Sequence, residues 1–255
     1  MFSVEEIDEL PFMASLGPVL TILAIYLVFV TKIGPVFMRK REGYQLKHAL
    51  ILYNAVQVAI SVYLVFFPTT IYFFNILFFN FNYTDISWGW SVLKKYFIKL
   101  SELLDTVFFV LRKKNSQITF LHLYHHTVMV IGTWALLKYW PSHTLIFIGF
   151  LNSLVHVFMY TYYGLAALGP TMAKYLTWKK YMTKFQLVSL AILTYKYMSE
   201  CPPARGVAIF VSCNTAVILI LFLNFYRQNY NRKKLDITHK KNNKLNIVIT
   251  LYLTS

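Results

Sequence analysis

Seven stretches of this 255-residue chain are apolar for about twenty residues at a time, the length at which a helix crosses the hydrocarbon core of a bilayer. They cover 16–38, 46–67, 92–111, 117–138, 143–165, 181–198 and 205–226. In lipid only helices and closed barrels pair all their backbone groups, and segments this long are helical ones. The chain is 57% hydrophobic and 14% charged, where soluble domains carry about a quarter charged residues. The expectation is one all-α integral membrane domain of seven transmembrane helices. Its core would run over 16–226 and its basic tail over 227–255, with no room for a sizeable soluble domain. The third segment is the least hydrophobic, holding Lys94, Lys95, Lys99, Glu102 and Asp105. The aromatic, nearly uncharged stretch 68–90 contains Pro68 and reads as a loop lying along the membrane interface.

The formal net charge of +15 raises the question of nucleic acid. The basic residues, however, sit at the ends of apolar segments, which points to topology and anionic headgroups instead. Arg39, Lys40 and Arg41, Arg112, Lys113 and Lys114, Lys174, Lys179 and Lys180, and the tail all fall on one side. The other side holds only Lys138, Lys196 and Arg205. By the positive-inside rule the first side is cytosolic, so the N-terminus is lumenal or exterior and the tail cytosolic. The sequon Asn82-Tyr83-Thr84 then lies on the non-cytosolic side, where glycosylation occurs. Glu5, Glu6, Asp8 and Glu9 make the N-terminus too acidic for a signal peptide. Cys201 and Cys213 supply neither a disulfide framework nor a zinc motif. The apolar end 245–255 is too short to span.

Three histidines interrupt the fourth segment. The run Gln117 to Leu137 has no Lys, Arg, Asp or Glu, yet contains His122, His125 and His126. Ionisable groups in a span are costly and mark function by default. At spacing i, i+3, i+4 the three are expected to share one helical face. Helical rise puts His125 about 12 Å from the cytosolic end of its segment and His156 about 13 Å from that of the fifth. Asp105 and Glu102 come out about 9 and 13 Å deep on the third. Asn152 and Tyr160 flank His156 by one turn each. Three spans thus bring polar groups to one depth, where they must face each other or a cavity, since each unpaired charge in lipid costs several kcal/mol.

Clustered imidazoles suit metal ligation or acid–base and nucleophilic chemistry. A membrane di-iron desaturase or hydroxylase generally needs about eight histidines, and only four lie at this depth, so metal-free chemistry with no cofactor is favoured. A seven-helix receptor is the other alternative. Against it, the third segment ends without an acidic-Arg-aromatic triplet and the seventh lacks N-P-x-x-Y.

Four motifs now stand in order: Lys99-Leu100-Ser101-Glu102-Leu103-Leu104-Asp105-Thr106, Leu121-His122-Leu123-Tyr124-His125-His126, Asn152-Ser153-Leu154-Val155-His156-Val157-Phe158-Met159-Tyr160, and Trp178-Lys179-Lys180-Tyr181-Met182-Thr183-Lys184-Phe185-Gln186. The chain resembles the very-long-chain fatty acid elongases, the membrane 3-ketoacyl-CoA synthases, across about 25–226. It departs from their pattern at Ser189 and Leu190, where the sixth-helix element usually continues with Gln-Phe, and it ends without their common lysine-based retrieval signal.

The resemblance implies an endoplasmic reticulum enzyme whose helices two to seven enclose a substrate tunnel. It would condense a long-chain acyl-CoA with malonyl-CoA, giving CO2, CoA and a 3-ketoacyl-CoA. His125 is expected to carry the acyl group and His156 to polarise the thioester carbonyls. Glu102 and Asp105 would orient the histidines, His122 and His126 included, and Asn152 would donate to an oxyanion. Direct condensation, with histidine as general base, is the other route. Lys99, Tyr160 and Gln186 would contact substrate, and Arg112, Lys113, Lys114, Lys179 and Lys180 the CoA phosphates. Membrane lipids, other enzymes of the elongation cycle and a second copy of the chain are the expected partners.

Overall fold

The computed structural model of the chain describes residues 7–78, 96–139, 143–199 and 205–228. Every regular element among them is helical. Helix α1, Leu16–Met38, passes through a π turn at Phe29–Ile33. It is followed by α2 (Lys47–Phe78), α3 (96–101), α4 (Leu104–Leu111), α5 (Phe120–Tyr139), α6 (His143–Leu168), α7 (Lys179–Ser199) and α8 (Arg205–Tyr226). Within α1, Thr21 and Thr31 turn their hydroxyls back onto the carbonyls of Gly17 and Leu27, which satisfies them without water.

Three of these helices are long and apolar enough to cross a membrane by length and composition: Leu16–Met38, Lys47–Phe66 and Ile209–Tyr226. Their large apolar side chains point outward, among them Ile25, Val36, Leu52, Ile209 and Ile220. The interior holds, beside an apolar core, Asn54, Gln57, Ser61, Glu102, Asp105, Thr106, His126, Ser153 and His156. An apolar surface around buried polar groups is the distribution of a multi-pass membrane protein, in which lipid rather than water bathes the surface. The seven-span total rests on the sequence pattern.

Two expectations change. The second segment does not stop before Pro68, because α2 continues helical to Phe78. Proline removes one backbone donor, whereas ending a helix in an apolar medium leaves several groups unpaired, so the helix continues through it. The proposed loop 68–90 is therefore helical as far as 78, and its remainder, with Asn82, lies outside the described residues. The third segment, expected as one helix, is split. A turn at Glu102–Leu103 separates α3 from α4, with short-range bonds from Leu103 N to Leu100 O (3.2 Å) and from Asp105 N to Glu102 O (3.2 Å).

Packing is most extensive between α2 and α6. Helix α7 packs on α6, α8 on α7, and α8 also meets α5. Helix α1 lies against α4 and α5. A Cβ built on Gly34 would stand 2.5 Å from Val110 Cγ1, so a glycine is what lets α1 approach α4. Val19, Leu23, Val30, Val110, Val130, Trp134 and Leu137 form the apolar core there, with Ile7 and Met13 of the N-terminal segment. Lys138 clips that segment down. Its Nζ donates to the carbonyls of Met13 (3.1 Å) and Ala14 (2.6 Å) and stands 2.7 Å from Asp8 Oδ1 in an ion pair.

Candidate functional site

A cavity of about 240 Å³ lies between α2, α3, α5, α6 and α8. Ionisable and amide side chains gather in its wall: Lys99, Glu102, His125, Asn152 and His156. Much of the remaining wall is apolar, with Val128, Met129, Leu136, Phe210 and Ile218. Lys99 Nζ donates to Glu102 Oε1 (2.8 Å), Glu102 Oε2 (3.0 Å) and Asn152 Oδ1 (2.6 Å). The same Glu102 Oε1 stands 3.1 Å from His156 Nδ1. One carboxylate, 2% exposed, therefore ties a cation on α3 to an imidazole on α6. The turn at 102–103 is what aims Glu102 here. His125 packs its ring edge-on against Phe222 (6.3 Å) and His126 (5.6 Å). Its Nδ1 is buried without a hydrogen-bond partner among the described residues.

The other two members of the triplet take a different direction. His122 Nε2 is 2.9 Å from Thr106 Oγ1, and that hydroxyl is 2.7 Å from Tyr26 OH. The His122 and His126 rings stand 4.4 Å apart, and Phe109 packs on His122 at 5.4 Å. Of the three imidazoles, only His125 is in the cavity wall. The single histidine face expected from spacing is thus divided. Successive residues turn by about 100° around a helix, so His125 and His126 meet different neighbours even though all three lie on one side of α5. Among the described residues no three His, Cys, Asp or Glu side chains are arranged around one metal position.

Asp105 also leaves the cavity. Its Oδ2 accepts from Tyr160 OH at 2.9 Å, and Tyr160 is fully buried between Tyr53 (6.0 Å, edge-on) and His156 (5.5 Å, edge-on). Tyr160, expected to contact substrate, lies behind the wall rather than in it. Gln186 is half-buried on α7 and is not part of the wall either. Lys113, Lys114, Lys179 and Lys180 are exposed and Arg112 half-buried, at the end of α4 and the start of α7. Lys179 reaches over the Tyr162 ring at 6.0 Å.

Several polar contributors escape a sequence reading. Tyr26 sits in an apolar run and carries no motif, yet it anchors the Thr106–His122 pair. Gln57 donates to Ser101 Oγ (2.9 Å) and Tyr53 to Ser101 O (3.2 Å), fixing α2 to α3. Tyr124 OH donates to Asn214 Oδ1 (2.7 Å), fixing α5 to α8. Thr106, Ser101 and Tyr124 do have a visible signal, as members of the Lys99–Thr106 and Leu121–His126 motifs.

Comparison with known proteins points the same way. Residues 11–237 match the GNS1/SUR4 (ELO) family. The chain is 38% identical over 233 residues to "Very long chain fatty acid elongase 7" of Rattus norvegicus, covering 86% of this chain and 83% of that one. It is 35% identical over 238 residues to the protein of the same name in Drosophila melanogaster, covering 88% and 72%. It is 37% identical over 241 residues to "Very long chain fatty acid elongase 1" of Homo sapiens, covering 89% and 86%. At this identity, sustained along almost the whole matched region, the chain belongs to the GNS1/SUR4 family, the very long chain fatty acid elongases.

Proposed function

We propose that this chain carries out the condensation step of fatty acid elongation, joining a long-chain acyl-CoA to malonyl-CoA and releasing CO2 and CoA. The observation that supports this reading most is the shared cavity of His125 and His156, two imidazoles from separate helices above a largely apolar wall. An acyl chain fills the apolar part and the thioester lies against the imidazoles. The phosphate-bearing nucleotide of CoA suits exposed cations better than a largely apolar cavity. That part stays outside, against Arg112, Lys113, Lys114, Lys179 and Lys180.

In the first half-reaction an imidazole nitrogen of His125 attacks the thioester carbonyl, the C–S bond breaks and CoA leaves as its thiolate. In the second, malonyl-CoA loses CO2, and the electron pair left behind attacks the acyl-imidazole carbonyl. The C–N bond to His125 breaks and 3-ketoacyl-CoA is formed. His156, whose Nδ1 faces Glu102, positions the thioester carbonyl. Lys99 holds Asn152 by its carbonyl oxygen, which leaves the amide N–H groups to meet negative charge developing on the carbonyl oxygen. His122, His126, Asp105, Thr106 and Tyr160 act behind the wall by holding the helices and rings in place. Decarboxylation drives the carbon–carbon bond, so the step calls for no redox cofactor.

The same reading places the chain in the endoplasmic reticulum membrane, N-terminus lumenal and tail cytosolic, with Asn82 glycosylated. Its substrates are acyl-CoA and malonyl-CoA, and the reductase and dehydratase steps fall to other proteins.

The test uses purified full-length protein in lipid nanodiscs. CO2 release from malonyl-CoA should require acyl-CoA and yield 3-ketoacyl-CoA, and His125→Ala should abolish both. Incubation with acyl-CoA alone should leave an acyl adduct on His125. Absence of the adduct in turnover-competent protein replaces the stepwise route by direct condensation, and CO2 release independent of acyl-CoA overturns the condensation reading.

A further inference from the structure

A hydroxyl on a membrane helix can bond back to the carbonyl one turn earlier, as those of Thr21, Thr31, Thr161 and Thr183 do here. Ser61 on α2 and Ser153 on α6 do not. Both residues are buried, both line the cavity, and neither hydroxyl has a hydrogen-bond partner among the described residues. A buried polar group without a partner calls for a reason. The wall threonines Thr133 and Thr215 are unpaired in the same sense, but they stand on α5 and α8, whereas the two serines share the seam between α2 and α6 with His156.

The register of that seam brings the serines to the histidine. A Cβ built on Gly164 of α6 lies 3.5 Å from Asn54 Cβ of α2. Further along α2, and further back along α6, the same two helices line the cavity through Ser61 and Ser153, so they run antiparallel. Seven residues on from Asn54 is Ser61, and seven back from Gly164 is Val157. Ser61 is therefore level with Val157, within about one turn of both His156 and Ser153. Asn152, which accepts from Lys99 at 2.6 Å, precedes Ser153 directly.

We propose that Ser61 and Ser153 hold the carboxylate of malonyl-CoA during condensation. The proposal rests on the condensing reading above and assigns a recognition site for the second substrate within it. The C2 atom of malonyl-CoA must reach the acyl carbonyl at His125, and its carboxylate then lies one carbon further from the CoA. In a largely apolar cavity that carboxylate needs donors. Lys99 has none to spare, because its ammonium is taken up by both oxygens of Glu102 and by Asn152. The two serine hydroxyls are the open donors beside His156. Neutral donors also suit the chemistry. The bond from C2 to the carboxyl carbon breaks, CO2 leaves uncharged, and the electron pair stays on C2 to form the new carbon–carbon bond. A salt bridge would favour the carboxylate over the transition state and so slow this step, whereas a hydroxyl recognises the group at a smaller penalty.

Steady-state turnover of the full-length protein in nanodiscs tests this, each substrate being varied while the other saturates. Ser61→Ala and Ser153→Ala should each raise the KM for malonyl-CoA by about tenfold or more, the scale of one hydrogen bond to a charged group. The KM for acyl-CoA and the kcat at saturating malonyl-CoA should stay near their wild-type values. An unchanged malonyl-CoA KM, or loss of turnover at saturating malonyl-CoA, overturns the assignment. So does an equal rise in KM for both substrates, which is the result expected if the serines only pack α2 against α6. Wild-type protein that makes no 3-ketoacyl-CoA overturns the condensing reading instead, so the two failures are told apart.

Discussion

His156 Nδ1 stands 3.1 Å from Glu102 Oε1, the oxygen that also accepts a 2.8 Å hydrogen bond from Lys99. Glu102 is thus the joint between the K-x-x-E-x-x-D-T motif and the N-x-x-x-H motif, although 54 positions separate it from His156 in the chain. With Nδ1 held by a carboxylate, the imidazole has a fixed orientation before any substrate arrives. Such a partner generally governs which tautomer the ring adopts.

Breaking this joint from one side is the costly change. Glu102→Gln keeps the shape but leaves the Lys99 ammonium in a buried site without its counter-charge. Loss of one partner of a buried pair costs about 3–5 kcal/mol. Removing both charges in Lys99→Met/Glu102→Gln should cost less than either single change. Thermal unfolding of the four proteins in one detergent gives the coupling energy, and strict additivity would mean that the pair is not coupled.

Tyr160→Phe deletes the hydroxyl that donates to Asp105 and leaves a buried carboxyl short of a partner. The expected loss is about 1–3 kcal/mol of stability. Because Tyr160 lies behind the wall, kcat should fall while the KM for acyl-CoA stays near its wild-type value. A raised KM at constant kcat would instead put Tyr160 in contact with substrate.

The Tyr26–Thr106–His122 chain should behave as a unit. Thr106→Val removes its middle and strands two polar groups, for about 1–3 kcal/mol, whereas Tyr26→Phe removes an end and costs about 1 kcal/mol. Imidazole NMR signals of His122 should shift in both variants, and those of His156 in neither. A shift confined to Thr106→Val would show that Tyr26 does not act through the hydroxyl.

Lys138→Met should release the N-terminal segment. It removes two hydrogen bonds to carbonyls from a buried ammonium, each worth about 1.5–3 kcal/mol for a charged donor. Asp8→Asn removes only a partly exposed ion pair, worth about 0–1 kcal/mol. Limited proteolysis near residues 7–15 should quicken sharply in the first variant and little in the second. Equal effects would assign the clip to the ion pair rather than to the carbonyls.

The helices were largely legible in advance. The apolar block 205–226 is helical over Arg205–Tyr226, and 16–38 is helical through the π turn at Phe29–Ile33. Pro68 misled, because a punctuation rule learned in water weakens where a broken helix has no water to bond. The turn at Glu102–Leu103 gave no warning, since neither glycine nor proline marks it. The site was half legible: His125, His156, Glu102, Lys99 and Asn152 come together in one wall, while His122, His126, Asp105 and Tyr160 form a layer behind it.

Sequence alone determined most of the helical segments and which of them carry ionisable groups. Those follow from hydropathy and a fixed rise per residue, which are local properties. Tertiary structure alone decided the direction each polar side chain takes. Rotation about a helix axis, the break between α3 and α4 and the reach of Tyr26 across from α1 depend on which helices touch. A histidine's partner is set by its neighbour in space, and no spacing along one chain segment specifies that.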